Sequence, residues 1–172
     1  GLVLRLVHHA DRPVRVTIAG LRLSPVATRR TCWTFNDGAG GWRADHDLEP
    51  LRARDGALIC APTGTDPYLS TALMDVAAAE FVTVSIRCRQ RGPAAGAAGS
   101  LQIFWATQEG GFAPERSATA PILAGAGWRD VSIEVGRSPS WRGILTALRI
   151  DPPTHGLEIA KVRLVPGSPD RR

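Results

Sequence analysis

Lysine is nearly absent from this 172-residue chain: Lys161 is the only one, so arginine carries almost all of the positive charge behind a formal net charge of +5. A pI near 10 suggests nucleic acid. Phosphate binding, however, needs several cations gathered on one face, where counterion release adds up. These arginines are scattered and often stand beside acids, as in Arg43–Asp45, Arg52–Asp55 and Arg129–Asp130. Only Arg87, Arg89 and Arg91 gather, at alternate positions of one strand-like segment, and Arg171-Arg172 follow Asp170 in a tail. No nucleic-acid partner is expected. Cysteine is scarce too. Cys32, Cys60 and Cys88 are too few and too far apart for a disulfide framework or a zinc site. Cys60 and Cys88 each end an apolar strand pattern and are expected as small buried hydrophobes. That favours a reducing, cytoplasmic compartment, although one disulfide stays open. No run of 18 apolar residues exists, so no membrane insertion is expected. A signal-peptide succession is missing as well. The chain opens at Gly1 in mid-strand without an initiator Met, and is read as a fragment of a longer protein.

What is present is a period of two. Val82, Val84, Ile86 and Cys88 alternate with Thr83, Ser85, Arg87 and Arg89, and Val131, Ile133 and Val135 alternate with Asp130, Ser132 and Glu134. Further strands are expected at Thr31–Phe35, Ala57–Cys60, Tyr68–Asp75, Leu101–Gln108, Arg116–Ile122, Ile144–Ile150 and Leu157–Leu164. Turn-forming clusters separate them: Asn36-Asp37-Gly38, Arg54-Asp55-Gly56, residues 63–67, Glu109-Gly110-Gly111 and Asp151-Pro152-Pro153. One helical turn is expected over Asp75–Glu80. Gly92–Ser100 reads as a flexible loop joining two neighbouring strands. Many short strands between turn signals are the pattern of an all-β sandwich or barrel.

The chain also repeats itself. Ile18-Ala19-Gly20-Leu21-Arg22-Leu23-Ser24-Pro25 matches Ile159-Ala160-Lys161-Val162-Arg163-Leu164-Val165-Pro166, and Leu4-Arg5-Leu6 matches Leu148-Arg149-Ile150. In each copy the final strand breaks its alternation by one residue, at Ala19-Gly20 and Ala160-Lys161, as a β-bulge does. Residues 1–25 are therefore read as the last strands of a preceding unit, 26–30 as a linker, 31–166 as a complete sandwich and 167–172 as a tail.

An ordered set of segments in that unit resembles the galactose-binding-like jelly rolls, the sandwich family that includes many carbohydrate-binding modules. The segments are Trp33-Thr34-Phe35-Asn36-Asp37-Gly38, Trp42 after its glycine pair, Gly56-Ala57-Leu58, Asp66-Pro67-Tyr68-Leu69 and the Val82–Arg89 strand. Leu101-Gln102-Ile103-Phe104-Trp105, Gly110-Gly111-Phe112, Gly127-Trp128-Arg129-Asp130, Leu148-Arg149-Ile150-Asp151-Pro152 and Leu157–Leu164 follow. Their order is similar to that of modules found beside bacterial glycosyltransferases and other polysaccharide-active enzymes. The resemblance implies a jelly roll, a glycan partner, contacts with other domains of a parent chain and a structural Ca²⁺ where the first and last strands meet. Asn36, Asp37 and either Asp151 or Glu158 are the ligands it implies, and a simple turn at Asn36-Asp37-Gly38 is the alternative.

Catalysis is not expected. No nucleophile elbow, zinc-binding His-Glu-x-x-His, phosphate loop or dinucleotide fingerprint occurs. His8, His9, His46 and His155 fall in loops or in the partial repeat. Asp45, Asp47 and Glu49 form the one local acidic group. Sugar recognition asks instead for aromatic rings against C–H faces and planar polar groups against hydroxyls. Candidate residues are Arg87, Arg89, Gln102 and Gln108 on one polar sheet face, with Tyr68, Trp105, Trp128 and Trp141 for stacking. Trp33 and Trp105 share the phase of apolar neighbours and suit the core, Trp128 sits at a polar phase, and Trp42 and Trp141 lie on loops. A non-catalytic glycan-binding module is expected, with a structural spacer or protein-interaction sandwich as the alternative.

Overall fold

The computed structural model describes residues 29–71, 74–90, 99–123 and 127–167. The repeat copy read in residues 1–25, with His8 and His9, and residues 26–28 of the linker lie outside them, as do Arg91 and the tail beyond Gly167. Among the described residues twelve strands form two antiparallel sheets. They are β1 Cys32–Thr34, β2 Arg43–His46, β3 Arg52–Arg54, β4 Ala57–Cys60, β5 Tyr68–Thr71 and β6 Val76–Ala77, then β7 Phe81–Gln90, β8 Gly99–Thr107, β9 Ser117–Ile122, β10 Arg129–Glu134, β11 Ile144–Asp151 and β12 Leu157–Pro166. Sheet I has the order β10-β7-β12-β4-β3, with β1 also on β12. Sheet II has the order β2-β5-β11-β8-β9, with β6 also on β11. The architecture is all-β, as the alternation predicts, and the antiparallel jelly-roll sandwich that the resemblance implies.

Both sheets turn their apolar phase inward. Leu58 and Cys60 on β4, Val84, Ile86 and Cys88 on β7, and Val162 and Leu164 on β12 meet Leu101, Ile103 and Trp105 on β8 and Leu148 and Ile150 on β11. Burial pushes the Cys60 thiol up to about 12 and the Cys88 thiol up to about 11. These thiols are protonated core groups, not nucleophiles. Cys32 is exposed and unpaired. The bulge expected at Ala160-Lys161 is present as a register shift between Ile159 and Lys161 against β7.

Four differences from the sequence expectations matter for the site. The strands β2 and β3 were not anticipated, because each is short, lies at a sheet edge and has no apolar face. Over 75–80 the chain forms the short strand β6 and a single 3₁₀ turn, Ala78–Glu80, rather than an α-helical turn. Val82 is 37% exposed where its phase predicts burial, because the register of β7 against β12 slips there, with Val165 opposite Thr83 and Pro166 opposite Phe81, which takes Val82 out of the inward phase. Most consequential, β7 and β8 are not neighbours: the chain passes from sheet I to sheet II between them.

Tryptophans hold the two layers together. Trp141, expected on a loop, is 6% exposed, and its indole N–H donates to the carbonyls of Ala78 (2.9 Å) and Phe81 (2.8 Å). It meets Trp105 edge to face at 5.1 Å, and the Trp105 N–H donates to Ser140 O at 3.0 Å. Trp42 is likewise interior, 4% exposed and edge-on to Trp33 at 5.8 Å. The positive φ angles of Gly40 and Gly41, 61° and 90°, turn the chain to place it there.

Candidate functional site

Alternation that buries Leu69, Ile103, Leu148 and Ile150 sends their neighbours to the outer face of sheet II. Cross-strand register then lines up Arg43, Ser70, Arg149, Phe104 and Ser117 in one rung across five strands. In the adjacent rung His46 pairs with Tyr68, and Asp151 pairs with Gln102 and through it with Thr119. Arg149 is the centre. Its guanidinium lies 3.6 Å from the Tyr68 ring centroid and 4.7 Å from that of Phe104. Its Nε and Nη2 donate to the two carboxylate oxygens of Asp151 at 2.7 and 2.6 Å. His46 stacks on Tyr68 at 5.3 Å and 10°. Phe104, Arg149, Tyr68 and His46 thus form one stacked row over four strands.

The polar groups around this row are fixed by one another. Ser70 donates to Asp45, which also accepts from Arg43 Nε at 2.7 Å. Gln102 donates to Ser117 Oγ at 3.1 Å. Burial raises the Asp151 carboxyl above its ordinary range, against the pull of Arg149, which lowers it; Asp66 adds a small push upward. Arg149 is partly desolvated, but the hydrogen bonds and charge of Asp151 outweigh that and raise its pKa, so it is a permanent cation. At the end of the face a cavity of about 400 Å³ is lined by Asp66, Gln102, Asp151 and the 152–155 turn, among others.

A second concavity, about 920 Å³, lies on the outer face of sheet I. Its floor is another cross-strand rung, in which Arg52 faces Ile59, Ile59 faces Glu158, and Glu158 faces Arg89. Arg89 pairs with Glu158 at 2.6 Å and lies over the Trp128 ring at 4.6 Å. Trp128 is half-buried, as its polar phase implied.

The residues expected to bind together are therefore divided. Arg87 and Arg89 stand on sheet I, whereas Gln102 and Tyr68 stand on sheet II, so the single polar face that was to combine them does not exist. The crossover between β7 and β8 separates them. Arg87 is exposed and pairs with Asp130 at 2.9 Å. Gln108 is exposed just past the end of β8. Trp105 and Trp141 belong to the interior and offer no ring to a ligand. Of the expected calcium ligands, Asp151 is committed to Arg149 on sheet II, Glu158 pairs with Arg89 on sheet I, and Asn36 faces the Gly56 turn next to β4. Among the described residues no three His, Cys, Asp or Glu side chains are gathered as metal ligands. Nor does alternate spacing assemble Asp45, Asp47 and Glu49. Asp45 bonds Ser70, Asp47 accepts from the Asp66 amide at 3.1 Å, and Glu49 borders the sheet I groove. Sequence reasoning passed over Arg149 and Phe104. Their signal was the polar phase of β11, Arg149-Ile150-Asp151, set between buried residues.

No protein-family model matches the sequence, and no curated protein matches it. Solved structures do share its fold. A xylan-binding domain, CBM22-1 of Xyn10C from Paenibacillus barcinonensis, superposes with a TM-score of 0.53 at 16% identity, covering 85% of this chain and all (100%) of that one. The family 11 carbohydrate-binding module of the cellulosomal cellulase Lic26A-Cel5E from Clostridium thermocellum gives 0.54 at 11% identity, with 87% and 100% covered. CsCBM6-3 from Clostridium stercorarium, solved with cellobiose, gives 0.53 at 9% identity, with 84% and 100% covered. At these identities the likeness is one of fold.

Proposed function

We propose that the chain is a non-catalytic carbohydrate-binding module that holds a glycan on the outer face of sheet II. The parent is a larger bacterial polysaccharide-active protein, and the sequence resemblance favours a glycosyltransferase. The observation that carries the reading is Arg149, held between Tyr68 and Phe104 and clamped by Asp151. A guanidinium has five N–H donors, and Asp151 takes two of them. The others, with the remaining acceptor capacity of Asp151 and the amide of Gln102, form a rigid set of planar donors and acceptors. Neighbouring hydroxyls of a sugar, each both donor and acceptor, match such a set. Because the side chains are already ordered by stacking and ion pairing, little rotamer entropy is lost on binding. The same fold supports the reading: one neighbour is described as a xylan-binding domain, and others were solved with cellobiose and with a β-1,3-1,4-mixed-linked tetrasaccharide.

Calorimetric titration with cellotetraose, xylohexaose and a mixed-linked tetrasaccharide tests this. Binding at micromolar to millimolar concentration, with the sheet II site lost in Tyr68→Ala at unchanged melting temperature, is the expected result. A folded protein that binds none of them would instead favour the spacer reading.

A further inference from the structure

The groove on sheet I has no part in the site just described, and its chemistry differs. On sheet II each ring in the stacked row already has a partner: Arg149 lies against Tyr68 and Phe104, and His46 lies on Tyr68. On sheet I the Trp128 ring carries Arg89 on one side, and no second ring or cation among the described residues stacks on it. Ile59 and Ala57 supply apolar floor next to it, and the volume of about 920 Å³ lies in the range of ligand pockets. The charged lining is balanced, with Arg52, Arg54 and Arg89 against Glu49, Asp55 and Glu158. That balance gives a polyanion no net attraction. A ring platform, a strip of apolar floor and mixed donors and acceptors suit a neutral polyhydroxylated chain, whose C–H faces stack while its hydroxyls pair.

Thr154 and His155 border this groove and also the cavity at the end of sheet II. Among the described residues His155 Nε2 is buried without a hydrogen-bond partner, so a ligand hydroxyl within reach of it would remove a desolvation cost.

We infer that the sheet I groove is a second binding site for neutral glycan, with Trp128 as its stacking platform. Together with the sheet II site, on which this part of the inference rests, it makes the module two-sided and able to bridge two polysaccharide chains. Trp128 dominates affinity at the groove, and Arg52, exposed and without an ion pair among the described residues, contributes one hydrogen-bonding group.

Calorimetry with xylohexaose and cellohexaose, and turbidity with a soluble xylan and a mixed-linkage β-glucan, separate the two sites. Two sites per chain are expected in the parent protein and one in Trp128→Ala, which also no longer precipitates polysaccharide. Arg52→Ala, a surface change that leaves the fold intact, weakens the groove site by about threefold to tenfold, the worth of one hydrogen bond. Ligand-induced fluorescence change supplies an independent readout, because the other four tryptophans are at most 6% exposed. It disappears in Trp128→Phe. If Trp128→Ala and Arg52→Ala both bind as the parent does while Tyr68→Ala abolishes binding, the second site is overturned and the sheet II site stands. If Trp128→Ala abolishes binding and Tyr68→Ala does not, the groove is upheld as a site, and both the sheet II reading and the bridging are overturned. Absence of binding by the parent protein to all four carbohydrates overturns both.

Discussion

Arg149 on sheet II lies between two rings, pairs bidentately with Asp151 and keeps 18% of its side chain exposed; Arg89 on sheet I lies on one ring, pairs with Glu158 and keeps 41%. Both are products of the same rule, a polar phase set between buried neighbours on a central strand. What differs is the company on the flanking strands. Sheet II places aromatic residues on both sides of its arginine, which fixes the guanidinium and uses up ring faces. Sheet I places Trp128 on one side and the small or aliphatic Ala57 and Ile59 beyond Glu158, which leaves a hollow. The first face presents ordered hydrogen-bonding groups and the second presents space beside a ring.

The shared core sets the scale for separating the two. Trp141→Ala removes a buried ring that donates to two carbonyls, and is expected to cost about 3–5 kcal/mol in chemical denaturation without favouring either face. A stable Trp141→Ala protein would mean that the tryptophan pair does not join the layers. Next in size is the contrast between the arginines. Arg149→Ala strands the partly buried Asp151 carboxylate and is expected to cost about 2 kcal/mol and to abolish binding at sheet II. Arg89→Ala, at an arginine that keeps 41% of its side chain exposed, is expected to cost less, about 1 kcal/mol. Equal losses in the two variants would erase the distinction between the two faces.

The smallest expected effect is on pH dependence. The Asp151 carboxyl is raised in the fold, so its protonated form is the one that folding favours. Its contribution to stability is present below the ordinary aspartate range and is lost as pH rises through the raised value. Binding follows the opposite direction, because the ionised acceptor disappears as pH falls through that same raised value. Glycan affinity at sheet II should therefore fall on acidification before pH reaches about 3.9, the ordinary aspartate value. Asp151→Asn should flatten that early fall. A profile identical in the two proteins would separate Asp151 from the ligand.

Much of the fold was legible from the period of two, because strands such as Arg129–Glu134 bury Val131 and Ile133 and expose Asp130, Ser132 and Glu134. Even the bulge at Lys161 was visible as a slip in that alternation. Strands β2 and β3 were invisible because edge strands with no apolar face carry no such signal. The site was less legible, since alternation tells which face a residue takes but not which sheet its strand joins. Arg87 and Gln102 therefore read as neighbours across a short connection, whereas the chain changes layers between them. Tryptophans misled for a related reason: Trp141 in Ser-Pro-Ser-Trp-Arg looks exposed in sequence, yet two carbonyls at the end of the sandwich satisfy its N–H.

Chemical-shift mapping of the backbone amides during a xylohexaose or mixed-linked tetrasaccharide titration locates the glycan on sheet II. Saturable shifts centred on Tyr68, Gln102, Arg149 and Asp151 are expected. Saturable binding that leaves all four unperturbed would contradict that placement.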